Sequence, residues 1–130
     1  MDVVIDTSAV VAVIVGEPER DTIVKLTTSH TLIGPGSIPW EVGNAFSAMF
    51  KRGKLTVSEA HKGLAIFGTI PIRYIQPDFA LALTIAHQID MYAYDAYFLE
   101  CALRLNAPLL TMDRKLITAA KKLGIITWEV

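Results

Sequence analysis

The sequence predicts an α/β domain with a parallel sheet covered by helices on both faces. Short strand-like runs alternate along the chain with stretches of helical periodicity. The first run, Val3-Val4-Ile5, is continuously apolar rather than alternating, as expected of a strand buried on both faces. Polar elbows, Asp6-Thr7-Ser8 first among them, stand where strand sequence gives way to helix.

In chain order, Val3–Ile5 is the first strand and Asp6-Thr7-Ser8 opens the first helix, which Gly16-Glu17-Pro18-Glu19 breaks. Pro18 followed by acidic residues opens a second helix running to about Thr27. Thr31-Leu32-Ile33 reads as the second strand, closed by a turn at Gly34-Pro35-Gly36, which lacks the further glycine of a dinucleotide fingerprint. From Ile38, the residues Val42, Ala45, Phe46, Met49 and Phe50 recur at helical spacing until Lys51-Arg52-Gly53. Ser58 to Phe67 is another amphipathic helix, Ile72–Ile75 a third strand, and Pro77-Asp78 starts a helix through Ile89. Ala96 to Leu105 is helical, Pro108 to Thr111 is the fourth strand, Arg114 to Leu123 the last helix, and Ile125–Trp128 a short final strand. No repeat, low-complexity stretch or linker interrupts this order, so residues 1–130 read as one domain.

Twelve basic against thirteen acidic residues give a formal charge of −1, which excludes a global basic field; any nucleic-acid contact must be local. The hydrophobic share of 52% and the mean hydropathy of +0.42 exceed what one small core hides, a sign of self-association. The single cysteine, Cys101, allows neither a disulfide framework nor a cysteine zinc site within one chain, and fits a reducing cytoplasm. Ala9 to Val15 is too short to span a bilayer and lacks a signal peptide's basic flank, so no membrane role is expected.

Four acids stand out. Asp6 and Asp113 follow strands and precede helices, Asp95 opens a helix, and Glu41 lies in the first turn of another. Singly, each is explained as a helix cap or a dipole-favoured residue. Capping does not require an acid embedded in apolar sequence, as in Trp40-Glu41-Val42 and Tyr94-Asp95-Ala96-Tyr97. In open α/β sheets the ligand crevice lies beyond the carboxyl ends of the strands, where sequence order puts Asp6 and Asp113. Carboxylates gathered there repel one another unless a cation is present. Oxygen ligands suit Mg²⁺ or Mn²⁺, and no histidine or cysteine shares the motifs to favour zinc.

Val4-Ile5-Asp6-Thr7-Ser8, Trp40-Glu41-Val42-Gly43-Asn44, Tyr94-Asp95-Ala96 and Leu110-Thr111-Met112-Asp113 together resemble the four motifs of PIN-domain ribonucleases. Their order and spacing, over Asp2 to Trp128, are similar to those of the VapC toxins of VapBC toxin–antitoxin modules. The resemblance implies a central parallel sheet of order 3-2-1-4-5. It also implies an endoribonuclease dependent on Mg²⁺ or Mn²⁺, with Asp6, Glu41, Asp95 and Asp113 as metal-binding catalytic acids. Asn44, one helical turn from Glu41, would support its carboxylate or a water; Thr7, Ser8 and Thr111 occupy places where relatives carry polar residues near the metal. Arg114 and Lys115, beside Asp113, are the candidates for substrate contact, against a plain role at a solvated helix start. The implied reaction is in-line hydrolysis by an activated water, leaving a 5′-phosphate and a 3′-hydroxyl.

The implied partners are RNA, a VapB-like antitoxin and a second copy of the chain. Phe46, Met49, Phe50, Leu64 and Phe67 form an apolar stripe across two helices that reads first as core, and in VapC-like proteins this region helps line the antitoxin groove. Lys51-Arg52-Gly53-Lys54 reads first as ordinary helix termination rather than as a phosphate contact. His30, His61 and His87 share no metal-site or triad spacing. The alternatives are a PIN nuclease of RNA processing that is no toxin, and a PIN binding module that does not cut, against which the presence of all four acids argues. A haloacid-dehalogenase-type phosphatase would need a second Asp where Ser8 stands.

Overall fold

The computed structural model describes all residues, Met1–Val130. Twelve elements follow one another: β1 (Asp2–Ile5), α1 (Thr7–Val15), α2 (Arg20–Thr27), β2 (Thr31–Pro35), α3 (Ile38–Lys51), α4 (Val57–Phe67), β3 (Ile72–Ile75), α5 (Phe79–Ile89), α6 (Ala93–Leu105), β4 (Leu109–Leu110), α7 (Arg114–Lys122) and β5 (Thr127–Trp128). The five strands form one parallel sheet of order β3-β2-β1-β4-β5, the expected arrangement.

Every strand of this sheet except β3 and β5 has neighbours on both sides, and Val3, Val4, Leu109 and Leu110 have no exposed surface. That is why these runs are apolar without alternation. Right-handed crossovers from β1 to β2 to β3 put α1–α4 on one face, and the return from β3 to β4 to β5 puts α5–α7 on the other. The direction of travel reverses at β1, so a crevice opens between the carboxyl ends of β1 and β4.

Several boundaries differ from those predicted. Pro18 sits in a turn closed by Arg20 N–H donating to the Glu17 carbonyl at 3.0 Å, so α2 starts at Arg20. Gly34 and Pro35 are not a turn but the end of β2, paired with Tyr74 and Ile75. Pro35 is tolerated because β1 pairs with β2 only as far as Ile33. Gly34 lies in close approach to its neighbours: a Cβ there would make the end of the Ile38 side chain shift and would lie 3.4 Å from the Ile5 carbonyl. Helix α6 begins at Ala93, three residues early, behind Tyr92, which offers no side-chain cap and hence no start signal. β4 and β5 contain two residues each, so Thr111 lies just beyond its strand.

The apolar stripe divides. Phe46 is core, Met49 and Phe67 pack partly against it, and Phe50 and Leu64 are exposed. No helix is long and apolar enough to cross a membrane. One charged residue is wholly enclosed: Glu100 of α6 accepts the Asp78 N–H at 2.6 Å and two bonds from the Arg104 guanidinium, at 2.8 and 3.1 Å. Arg104 also donates to the Gln76 carbonyl at 2.9 Å, so this pair ties the β3–α5 turn to α6.

Removing Arg104 leaves the Glu100 carboxylate buried without its cation. Arg104→Ala is expected to lower unfolding free energy by about 2–3 kcal/mol in denaturant titration; stability equal to that of the parent chain would contradict this role.

Candidate active site

Asp6 is the first residue past β1, and its N–H donates to the Leu110 carbonyl at 3.1 Å, extending the β1–β4 ladder by one bond. Its backbone is extended while α1 begins behind it, and Oδ1 accepts the Ala9 N–H at 3.1 Å. Asp6 is thus a helix cap, as its position predicts. It is also 5% exposed, and a cap alone does not require that burial.

Two hydroxyls make the burial tolerable. Ser8 donates to Asp6 Oδ1 and Thr111 to Asp6 Oδ2, both at 2.7 Å. Each hydroxyl is itself fixed by a backbone donor, Ser8 by Met112 N–H at 3.1 Å and Thr111 by Asp113 N–H at 2.9 Å. The network spans the crevice and joins the start of α1 to the loop between β4 and α7. Burial nevertheless dominates: it pushes the Asp6 carboxyl up to about 6, with Asp113 adding repulsion, against the lowering by Thr111, Ser8 and Ala9.

Asp113 caps α7, its Oδ1 accepting the Lys115 and Leu116 N–H groups at 2.9 and 3.4 Å, while Oδ2 has no partner. Asp95, in the first turn of α6 rather than at its start, accepts no hydrogen bond. Its carboxyl is raised by burial and by Asp113, and lowered by Lys115. Glu41, in the first turn of α3, is held by Ser37, which donates to Oε2 at 2.6 Å, and by Thr7, which donates to Oε1 at 3.2 Å. It too is raised, by burial first and by Asp95. The acids therefore form a connected row in which Asp113 raises both Asp6 and Asp95, and Asp95 raises Glu41.

Thr7, Ser8 and Thr111 each bond a carboxylate of this row. Asn44 does not: its side chain is exposed and makes no bond to Glu41. Ser37 does the holding, and the signal for it was a serine at the helix start four residues before the acid. Arg114 and Lys115 are exposed on the first turn of α7, Lys115 near enough to act on Asp95.

No three acidic, histidine or cysteine side chains converge into a ready-made cage for an ion. The donor set still fits magnesium or manganese. It is all oxygen, two of its members, Asp95 and Asp113 Oδ2, have no protein partner, and Mg²⁺ keeps several waters and takes only one or two carboxylates directly. The raised carboxyls of Asp6, Glu41 and Asp95 are groups whose charge a cation would stabilise.

Residues 3–122 match the family model described as PIN domain. No curated protein matches the chain. Among solved structures, PAE2754 from Pyrobaculum aerophilum is similar at a TM-score of 0.73 and 21% identity, over 98% of this chain and 83% of that one. VapBC2 from Rickettsia felis, bound to a DNA fragment from its promoter, is similar at 0.69 and 18%, over 99% and 98%. A domain of a functionally unknown protein from Methanocaldococcus jannaschii follows at 0.58 and 20%, over 99% and 90%. At these identities the likeness is one of fold.

The folded chain binds the Asp6 proton more tightly than an ordinary carboxylate of pKa 3.8 does, so Asp6 weakens the fold as pH rises. From pH 4 to above pH 6, unfolding free energy in metal-free buffer is expected to fall by about 3 kcal/mol on this account. Asp6→Asn should lack that component, and equal slopes in the two proteins would contradict it. Thr111→Val removes a donor to Oδ2 and is expected to move the Asp6 carboxyl above about 6, read from its carbon chemical shift; an unchanged midpoint would show that the hydroxyl does not stabilise the charge.

Proposed function

The chain belongs to the PIN-domain family, and from that membership we propose that it is a Mg²⁺- or Mn²⁺-dependent endoribonuclease, the toxin of a VapBC-type pair. PIN domains are generally nucleases. The observation that carries the reading is the connected row Glu41, Asp95, Asp113, Asp6 at the strand-order reversal, with both oxygens of Asp6 engaged by fixed hydroxyls.

Asp6, Asp95 and Asp113, with Glu41 at the end of the row, would hold the cation. When bound, it lowers the pKa of a water and offsets charge on the phosphate. The chain's own part is preorganisation. Ser8 and Thr111 fix both oxygens of Asp6, the α7 backbone fixes Asp113, and Ser37 and Thr7 fix Glu41. Glu41 Oε1, its carboxyl raised by burial, is suited to take the proton of the attacking water. Lys115, near enough to act on Asp95, and Arg114 next to it on the first turn of α7 would hold the phosphodiester beside the acids.

Support for the toxin role comes from the four motifs in order and from a likeness to the Rickettsia felis VapBC2 chain over almost the whole of both. The antitoxin would seat on the groove of about 470 Å³ among Ile14, Phe46, Met49, Leu55 and Ile66. A homodimer belongs to the same reading, supported by the hydrophobic share of 52%, and so does the cytoplasm, by the lone free cysteine.

An RNA panel with Mg²⁺, Mn²⁺ or EDTA is expected to be cut only with a cation, and Asp6→Asn and Asp95→Asn should each lose about 10²-fold or more in rate. Metal-independent cutting, or full activity in both variants, would sink the assignment. Growth arrest on expression, relieved by co-expressing the neighbouring gene, is expected of a toxin; normal growth would favour an RNA-processing role.

A further inference from the structure

Four strand ends follow one another along the rim of the sheet that carries the acids. Gln76 and Pro77 leave β3, Ser37 follows β2, Asp6 follows β1, and Thr111 to Asp113 follow β4. The two ends of this rim differ in chemistry. On the β4 side, Arg114 and Lys115 stand exposed on the first turn of α7, with Asp90 lining the same pocket. On the β3 side lies a cleft of about 520 Å³ whose walls carry no charge and five aromatic rings, Trp40, Tyr74, Phe79, Tyr94 and Tyr97.

The rings are presented, not buried. Trp40 is 77% exposed, and Tyr74, Phe79 and Tyr94 are exposed as well. Tyr97 meets Phe79 and Tyr94 edge to face, with centroids 5.6 Å apart in both pairs, which braces these rings against collapse into the cleft. Such exposure of large apolar rings in one place marks a binding surface.

The cleft is continuous with the acids. Ser37 is part of its wall and donates to Glu41 Oε2, and Tyr94 is part of its wall and adjoins Asp95. Gln76 brings a side-chain amide that makes no hydrogen bond within the protein and offers both a donor and an acceptor.

Resting on the reading of the acids as an RNA-cutting site, we propose that this cleft is a base-stacking subsite that takes one unpaired nucleobase of single-stranded RNA beside the phosphate being cut. Single strands are held by aromatic faces for the bases and by cations for the backbone, and the rim offers these on opposite sides of the acids. A base paired in a duplex has no free face to give. The uncharged walls admit a base and offer a phosphate no cation, and only Ile75 among the wall residues is a branched aliphatic of the kind that anchors apolar peptides. The subsite makes the enzyme selective for unpaired RNA.

Trp40 and Trp128 are the only tryptophans, so Trp128→Phe leaves Trp40 as the sole indole reporter. A ten-nucleotide single-stranded RNA, added in Ca²⁺, is expected to quench Trp40 emission, and the same sequence in a duplex is not. Trp40→Ala and Phe79→Ala, each shown to be folded by circular dichroism, should raise KM for single-stranded RNA on the order of 10-fold with little change in kcat. Cutting with no quenching and with KM unchanged in both variants would overturn the subsite and leave the nuclease standing. Quenching by RNA in a protein that cuts nothing would support the cleft and sink the nuclease reading instead. Quenching by an apolar peptide but not by RNA, or a Trp40→Ala chain whose mass in solution halves while its RNA affinity is unchanged, would assign the face to a protein partner and overturn the proposal.

Discussion

Burial of the Asp6 carboxylate is the constraint on which the rest of the site depends. A charge at 5% exposure is tolerated only with donors on both oxygens, and the fold supplies them from two elements far apart in sequence, Ser8 of α1 and Thr111 beyond β4. Their partners, the N–H groups of Met112 and Asp113, fix the β4–α7 loop, and with it the carboxylate of Asp113. One buried charge thereby sets the position of a second acid. The parallel pairing of β1 with β4 is what brings these groups together, and no other neighbour for β1 would do so.

The remaining acids are placed by different means. Asp113 is held by the amides of α7, Glu41 by hydroxyls on either side, and Asp95 by nothing but its place on α6. Burial is what chiefly disfavours the charged forms of Asp6, Glu41 and Asp95, and the neighbouring carboxylates, held without matching cations, add to this. A divalent ion with its waters would reverse that balance, and on the proposed function the arrangement is one site as well as a set of caps. Asp6 and Asp113 show that the two roles are compatible, since both cap helices as well.

Much of this was legible in the sequence. The alternation of strand and helix and the unalternating apolar strands gave the fold class on physical grounds, and the acids at strand ends and in first helical turns brought Asp6, Glu41, Asp95 and Asp113 forward as candidates, while strand order rested on the likeness to PIN domains. The misplaced boundaries share a cause: the residues that decide them act through tertiary contact. Gly34 looks like a turn residue until Ile38 and the Ile5 carbonyl are seen against it, and α6 starts at Ala93 without any cap in the local sequence. Asn44 was expected from helical spacing to support Glu41, but spacing carries no information about the hydroxyl of Ser37, which reaches the carboxylate first. The Glu100–Arg104 pair, though four residues apart, gave no sign that one member would be enclosed.

The central claim is that the four carboxylates form a single divalent-cation site, and direct binding tests it without recourse to activity. Unfolding midpoints measured at rising Mn²⁺ concentration should climb for the parent chain as ligand linkage requires, and should stay flat for Asp95→Asn and Asp113→Asn. A parent chain indifferent to Mn²⁺, or variants that gain as much stability as it does, would show that these acids do not act as one site.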